Sequence, residues 1–209
     1  MMAVRFVYLR SIRHLAGKTM RKTGTFLLAL AVIAGCASMR GAQVAYHDSN
    51  MDFGSLQNVA VMPFSNLTTN TNASDRIRDV FMTMLQATGA VYVLPPGEVG
   101  RGMSRANLSN PIAPTPEEVV TFSKIVKVDA VITGAVREYG EVRSGTSTSN
   151  IISVSVRMME AQTGKVIWSA SSTKGGITTL DRLFGGGGDP MNAVTEKAVK
   201  DLLDKLFAK

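Results

Sequence analysis

Apolar residues recur along most of the chain with the spacings of alternating strands and helices. Asn58–Phe64 is a nearly continuous apolar run that ends at a proline and a phenylalanine, which predicts a buried strand. Apolar residues then return every three or four positions, which predicts a helix that starts at Ser74 or Asp75 and ends before Gly89. Val91–Leu94 predicts a second strand. The helical stripe consists of Ile77, Val80, Phe81, Met84 and Leu85.

A strong helix start signal lies in the middle of the chain. Thr115 is followed by proline and two glutamates, so it is predicted to cap a helix with Glu118 completing a capping box. This helix is expected to continue to about Lys127. The preceding stretch is irregular and includes a short helix at Glu98–Ala106, and Asp129–Val136 predicts a third strand.

The last third of the chain has the pattern of an antiparallel hairpin. Asn150–Glu160 alternates apolar and polar residues, with Ser153, Ser155 and Arg157 on the polar face. A turn at Gln162–Gly164 leads to a returning strand at Lys165–Ser172, which contains the only tryptophan.

The end of the chain predicts a connector and a closing helix. Gly185–Gly188 is typical of a flexible connector, and Asp189-Pro190 is expected to cap a helix that runs to about Lys209. The predicted element order is β-α-β-α-β-β-β-α. It favours the α/β class, a single three-layer-like domain with a mixed sheet over residues 56–209.

The positive charge of the chain is concentrated at its N-terminus. The sequence has 23 Lys+Arg and 16 Asp+Glu, a formal net charge of +7. Residues 1–35 hold six basic residues and no acidic one, so the remainder carries a net charge of only +1. The basicity therefore belongs to a leader segment, and we expect no nucleic-acid partner.

Residues 1–35 have the parts of a lipoprotein signal peptide. A basic start after Met20 precedes a short apolar run at Phe26–Ala34, which is shorter than the roughly 20 residues needed to span a bilayer. The segment Ile33–Cys36 resembles the bacterial lipobox. We therefore expect translation to start at Met20, cleavage between Gly35 and Cys36, and acylation of Cys36.

An acylated Cys36 predicts a membrane anchor. A diacylglyceryl thioether and an N-acyl chain bury many methylenes at about 0.8 kcal/mol each. Ala37 follows the cysteine, and the enterobacterial sorting pattern then predicts the outer membrane, on its periplasmic face. Residues 36–55 show no periodicity and predict a lipidated tether, which reaches at most about 65 Å. His47 lies within it and is expected to be a surface histidine, because a metal site needs several ligands together.

The chain from residue 56 onward lacks the residues of common catalytic and cofactor sites. It contains no histidine to activate a serine. Gly185–Gly188 is followed by aspartate, which excludes a phosphate-binding loop. Glu117 and Glu118 diverge on a helix, and capping explains Glu118. A single cysteine excludes an intramolecular disulfide and a multi-cysteine metal site. We expect a non-enzymatic protein without a cofactor or metal.

Three segments resemble strands of the CsgG-type curli-secretion lipoproteins. Asn58–Asn66 (NVAVMPFSN) resembles their opening strand, and Asp129–Val136 (DAVITGAV) resembles a strand of the form ADAVLxGxV. Val156–Ser169 (VRMMEAQTGKVIWS) resembles their VRLVDxxTGxVLWS hairpin. With the lipobox, this resemblance covers about residues 56–209. It implies an anticodon-binding-domain-like core, as in LpoB-type activators of peptidoglycan synthases and the N-terminal domain of TolB.

The pore-forming hairpins of the CsgG family have no counterpart of sufficient length. The corresponding connections are Arg137–Asn150, of 14 residues, and Thr173–Pro190, of 18 residues. Two membrane-spanning strands need about 9–11 residues each in addition to their turn. The resemblance therefore implies a non-catalytic assembly or accessory component of an envelope secretion or surface-structure system, with envelope proteins as partners and self-association into a ring.

Two other functions stay open from the sequence. The first is an LpoB-like regulator of peptidoglycan synthesis, although such activators use a long disordered tether and the 19 residues 37–55 are short for that task. The second is an enzyme acting on cell-wall or lipid material through serine or carboxylate groups. Its candidate carboxylates are Asp129, Glu138 and Glu141.

Replacement of Cys36 by alanine is expected to abolish lipidation, because it removes the only thiol in the chain. Mass spectrometry of the detergent-extracted protein should then show no acyl groups. The Ser38→Ala variant keeps the cysteine and should be acylated normally. An acylated Cys36→Ala protein would show that the lipobox assignment is wrong.

Overall fold

The computed structural model describes residues 45–145, 147–177 and 188–208. The predicted signal peptide, its cleavage site, Cys36 and residues 36–44 of the tether lie outside the described residues, as do Gly185 to Gly187 of the predicted connector.

The described chain forms one open mixed sheet of seven strands with four helices, which confirms the predicted α/β class. The strands are β1 (Ala45–His47), β2 (Asn58–Val61), β3 (Ser65–Asn66), β4 (Tyr92–Val93), β5 (Ala130–Ser144), β6 (Ser147–Glu160) and β7 (Val166–Gly175). The helices are α1 (Ala73–Ala87), α2 (Pro96–Arg105), α3 (Pro116–Val126) and α4 (Met191–Leu206).

The sheet has a parallel half and an antiparallel half that meet at β5. The strand order is β1-β7-β6-β5-β2-β4, with β3 also paired to β5. Strand β2 runs parallel to β4 and β5, and β3 runs parallel to β5. The pairs β5–β6, β6–β7 and β7–β1 are antiparallel.

Two apolar cores lie on opposite faces of the sheet. Successive residues of β5 point into different cores, so Ala130 and Ile132 join one and Val131 joins the other. The larger core packs α1 and α4 against most of the sheet. The smaller core packs α2 and α3 against the parallel half and the adjoining strand ends. Among the described residues, helices therefore cover the antiparallel half on one face only.

The β5–β6 hairpin is longer than the sequence predicted. The segment 137–150 was expected to be a polar connection, but it continues the ladder to the pair Ser144↔Ser147. A bulge between Val136 and Glu138 shifts the inward and outward pattern of β5. Polar residues can continue such a ladder because its hydrogen bonds come from the backbone, and the side chains of Ser147 and Ser149 are buried there.

Part of the predicted tether belongs to the folded unit. Ala45–His47 pairs with β7, in the register Ala45↔Ala170, and Phe53–Ser55 forms a turn of 3₁₀ helix. The His47 ring lies 5.5 Å from the Phe53 ring, between centroids, and 6.4 Å from the Trp168 ring. A strand of three residues is too short to show a period, so only its partner strand reveals it.

The start of α3 agrees with the prediction from the sequence, and the starts of α1 and α4 differ from it. The capping box is confirmed, since the Thr115 hydroxyl accepts a hydrogen bond from the Glu118 amide and the Glu118 carboxylate accepts one from the Thr115 amide. Hydrogen bonds from the backbone of Thr115 and then of Ser109 lower the pKa of Glu118. Helix α1 starts at Ala73, one residue earlier than predicted. Asp189 does not cap α4 with its side chain, which instead forms an ion pair with Lys197.

The turn between β6 and β7 approaches the first turn of α3 very closely. Gly164 has a φ of +68°, and a Cβ there would lie 2.6 Å from the Pro116 Cα. Gly145, in the β5–β6 turn, has a similar φ of +60° but no atom within 4 Å of its Cβ position. The two glycines therefore differ in packing but share a left-handed conformation that would strain any L-residue placed there.

The Gly164→Ala variant is expected to be much less stable than the Gly145→Ala variant. Both variants lose about 1 kcal/mol of unfolding free energy, because an L-residue is placed in a left-handed conformation. Gly164→Ala loses about 1–3 kcal/mol more, because its Cβ is overpacked against backbone that cannot move aside. Urea unfolding followed by circular dichroism measures both. Equal losses of unfolding free energy would contradict the close approach of this turn to α3.

Candidate functional site

The uncovered face of the antiparallel half carries a shallow hollow of about 500 Å³. Its walls come from four distant parts of the chain, which are β1, the segment after β3, and the hairpins β5–β6 and β6–β7. Tyr46 and Leu67 stand at the rim and are 49% and 65% exposed. We call this surface the open sheet face. It consists of Tyr46, Leu67, Ala135, Arg137, Ser155, Arg157, Ser169 and Ser171.

Strand alternation places the polar residues of the open sheet face. Ser155 and Arg157 alternate with Val154, Val156 and Met158, which are buried in the larger core. Register places Ser155 opposite Ala135 and Ser171. The sequence predicted that Ser155 and Arg157 share the polar face of their strand, but it did not indicate Tyr46, Leu67 or Arg137 as their neighbours.

Two arginines give the open sheet face its charge. Arg137 and Arg157 are both exposed, and within the described parts of the chain neither guanidinium forms a salt bridge or a hydrogen bond. Arginine and tyrosine are the residues most enriched at the energetic centres of protein interfaces. This chemistry suits a protein surface that supplies carboxylates or backbone carbonyls, since guanidinium groups only donate hydrogen bonds.

A second concave region is apolar and lies at the opposite face of the sheet. This cavity of about 420 Å³ is bounded by β1 and the 3₁₀ turn, by the end of α1 and the loop after it, and by the end of α4. Its wall includes the buried side chains of Leu56, Leu85, Met158 and Leu206. Phe207 is 45% exposed and stands at its edge. We call it the apolar cavity.

The carboxyl end of β2, at an edge where ligands bind in many α/β folds, is contacted by an arginine of α1. The Arg78 guanidinium donates two hydrogen bonds to the carbonyl oxygen of Val61, the last residue of β2, from Nε at 3.2 Å and from Nη2 at 2.6 Å. Burial lowers the pKa of Arg78, and the neighbouring Asp75 and Asp79 carboxylates oppose this. Arg78 therefore joins α1 to the sheet at this position.

A largely buried ion cluster joins α4 to β7. The Asp201 carboxylate accepts hydrogen bonds from Lys174 Nζ at 2.8 Å and from Lys205 Nζ at 2.7 Å. Lys205 also donates to the Ser171 carbonyl oxygen at 2.8 Å. Burial raises the pKa of Asp201, but the hydrogen bonds from both lysines, the nearby Ser172 hydroxyl and the charge of Lys205 outweigh it and lower the pKa below 3.8.

The three candidate carboxylates of the enzymatic alternative lie in different surroundings. Asp129 accepts hydrogen bonds from the amides of Gln57 and Asn58, at 2.9 and 2.8 Å, which uses its carboxylate to join β5 to β2. Glu138 and Glu141 are exposed on the β5–β6 hairpin. Among the residues that the structure describes, no group of three or more metal-ligating side chains comes together. None of the described helices is long and apolar enough to cross a membrane.

Comparison with known proteins identifies the fold through solved structures. No family model matches the chain, and no curated protein matches it. The PelC dodecamer from Paraburkholderia phytofirmans is 18% identical over 79% of this chain and 96% of that chain, with a TM-score of 0.52. Lipoprotein GNA1162 from Neisseria meningitidis is 18% identical over 73% of this chain and 99% of that chain, with a TM-score of 0.53. The chain has the fold of these two proteins.

A third similar structure is an LpoB domain, and an LpoB-like regulator is the alternative function that the sequence left open. The LpoB C-terminal domain from Salmonella enterica is 14% identical over 60% of this chain and 86% of that chain. Its TM-score of 0.45 is too low to support an argument about this chain. Membership of the CsgG family is not shown by these comparisons and remains part of the proposal below.

The Asp201→Asn variant is expected to lose roughly 3 kcal/mol of unfolding free energy, because it leaves two lysines near a buried position without a counter-charge. The matched control is Asp204→Asn on the same helix. Asp204 pairs with Lys200 at 2.7 Å, but both side chains are more than 60% exposed, so its loss should be below about 1 kcal/mol. Urea unfolding at neutral pH measures both variants.

The same cluster predicts a pH dependence with a defined sign. The folded-state pKa of Asp201 lies below its ordinary value of 3.8, so its carboxylate stabilises the fold above that pH. This stabilisation is lost as the pH falls from about 4 through the folded-state pKa. The stability difference between the native protein and Asp201→Asn should therefore shrink over that range. A constant difference from pH 7 down to pH 2 would contradict the assignment.

Proposed function

We propose that the chain is a CsgG-related lipoprotein, anchored at the periplasmic face of the outer membrane through an acylated Cys36. It would act as a non-catalytic assembly or accessory component of an envelope secretion or surface-structure system and would assemble into a ring. The lipobox at Ile33–Cys36 and the fold shared with lipoprotein GNA1162 support the anchor. The fold shared with a PelC dodecamer supports self-assembly.

The open sheet face is the observation that carries this proposal. A sheet of this size usually buries one face and solvates the other, so an uncovered antiparallel half is ordinary. Arg137 and Arg157 make this one unusual, because their guanidinium groups have no partner among the described residues. Tyr46 and Leu67 add large exposed apolar side chains. Such a surface combines the arginine and aromatic residues that bind other proteins.

A closed ring needs two different contact surfaces on each subunit, since each copy is joined to two neighbours in the same way. The open sheet face supplies one of them. Hydrogen bonds and ion pairs from its arginines to the next copy would fix the angle between subunits, and that angle determines how many copies close the ring.

The regulator of peptidoglycan synthesis gains no support from the folded unit. Because β1 begins at Ala45, only the eight residues 37–44 separate the candidate anchor from the sheet. Eight residues span at most about 29 Å when fully extended. An anchored domain of this kind would act close to the membrane, where an assembled ring would also lie.

Assembly is expected to depend on the two arginines of the open sheet face. Size exclusion with light scattering of the detergent-extracted, acylated protein should give one discrete multi-subunit particle. The Arg137→Glu/Arg157→Glu variant should shift the particle mass towards the monomer, since each reversal replaces an attraction by a repulsion.

The matched control is Lys124→Glu, a charge reversal at an exposed position of α3 that does not line the open sheet face. It should leave the particle mass unchanged. A monomeric native protein would overturn the ring proposal. An unchanged particle in the double variant would show that the ring uses other surfaces.

A further inference from the structure

We propose that the apolar cavity binds a single fatty-acyl chain. The inference depends on the proposed function for one point only, which is the acyl group of Cys36 as a source of that chain. The preference of the cavity for an acyl chain follows from its wall residues alone.

The cavity wall is chemically suited to hydrocarbon. Leu56, Leu85, Met158 and Leu206 contribute apolar side chains that are at most 8% exposed. Among the described residues, no lysine, arginine, aspartate or glutamate lines the cavity. The imidazole of His47 is its one polar side chain, and Nε2 of that ring already lies 3.4 Å from the Leu206 carbonyl oxygen. A ligand with charged or strongly polar groups along its length would find no partners there.

The cavity size limits the ligand further. A cavity of 150 Å³ lined by aliphatic and aromatic side chains holds the six carbons of benzene. By proportion, 420 Å³ accommodates about 17 carbons, the length of one common fatty-acyl chain. Burial of each further methylene adds to the affinity, which favours a long chain over a short one.

The mouth of the cavity lies next to the N-terminal strand. His47 of β1 and Phe53 of the following turn both line it. The candidate acylation site is nine residues before Ala45, a connection of at most about 32 Å. Binding of an acyl group on that cysteine would be intramolecular, with an effective concentration set by the length of this connection. A lipid of the adjacent membrane is the second source of the same chemistry.

Binding can be measured with the fluorescent polyene fatty acid cis-parinaric acid and the unacylated mature chain. Both cores lie within residues 56–206, so the mature chain contains the whole fold without its lipid. Saturable binding is expected. Ala90 is an exposed residue that lines the cavity, and Ala90→Trp should weaken binding roughly tenfold or more by filling the space.

The matched control is Ala113→Trp, an exposed alanine in the loop before α3 that does not line the cavity. It should bind the probe as the native chain does. Circular dichroism checks that Ala90→Trp is folded, and Val91→Phe provides a second blocking variant if it is not. No saturable binding, or equal binding by the blocked variants and the control, would overturn the proposal.

The source of the bound fatty-acyl chain can be determined in cells that are fed a diazirine-labelled palmitate. After irradiation, peptide mapping of the native protein should find cross-links from the Cys36 acyl group to the Leu85 or Leu206 peptides. Cross-links to those peptides in Cys36→Ala as well would assign the ligand to membrane lipid. If Cys36 carries no acyl group, the proposed anchor fails while the parinaric acid result stands independently.

Discussion

The fold depends on β5, the one described strand that pairs with both halves of the sheet. On one side it runs parallel to β2 and β3, and on the other it forms the long antiparallel ladder with β6. Asp129, just before β5, accepts the amides of Gln57 and Asn58 and so sets the position of β2 against it. Consecutive residues of β5 then enter different cores, so an error in this register would misplace side chains on both faces.

The difference between the two halves explains why one of them has an open face among the described residues. The parallel half needs helices on both faces, and α2 and α3 supply the second layer there. In the part of the chain that the structure describes, the antiparallel half is covered only by α1 and α4, on one face of the hairpins. A face that does not have to be buried can carry arginines, serines and a tyrosine at little cost to folding, and it is therefore free to serve as an interaction surface.

Helix α4 joins the last part of the described chain to the sheet. Its apolar side packs into the larger core, and Asp201 joins it to β7 through Lys174 and through Lys205 of its own last turn. This connection places the end of α4 beside β1, where Leu206 and Phe207 close one side of the apolar cavity. The N-terminal strand and the last helix are thus neighbours in space, although 159 residues separate His47 from Leu206.

Local pattern alone determined the class of this protein and most of its elements. The Thr115 capping box, the stripe from Ile77 to Leu85 and the alternation before Glu160 all depend on residues near one another in sequence, so they were predictable. The Cys36 assignment also came from sequence and remains a prediction. The short strand β1 and the neighbours of Arg157 were not predictable, because pairing between distant segments creates them. Only the tertiary structure could bring Tyr46, Leu67 and Arg137 to one surface and form the apolar cavity. Both surfaces are built from distant segments, and the proximity of those segments depends on sheet register and helix packing.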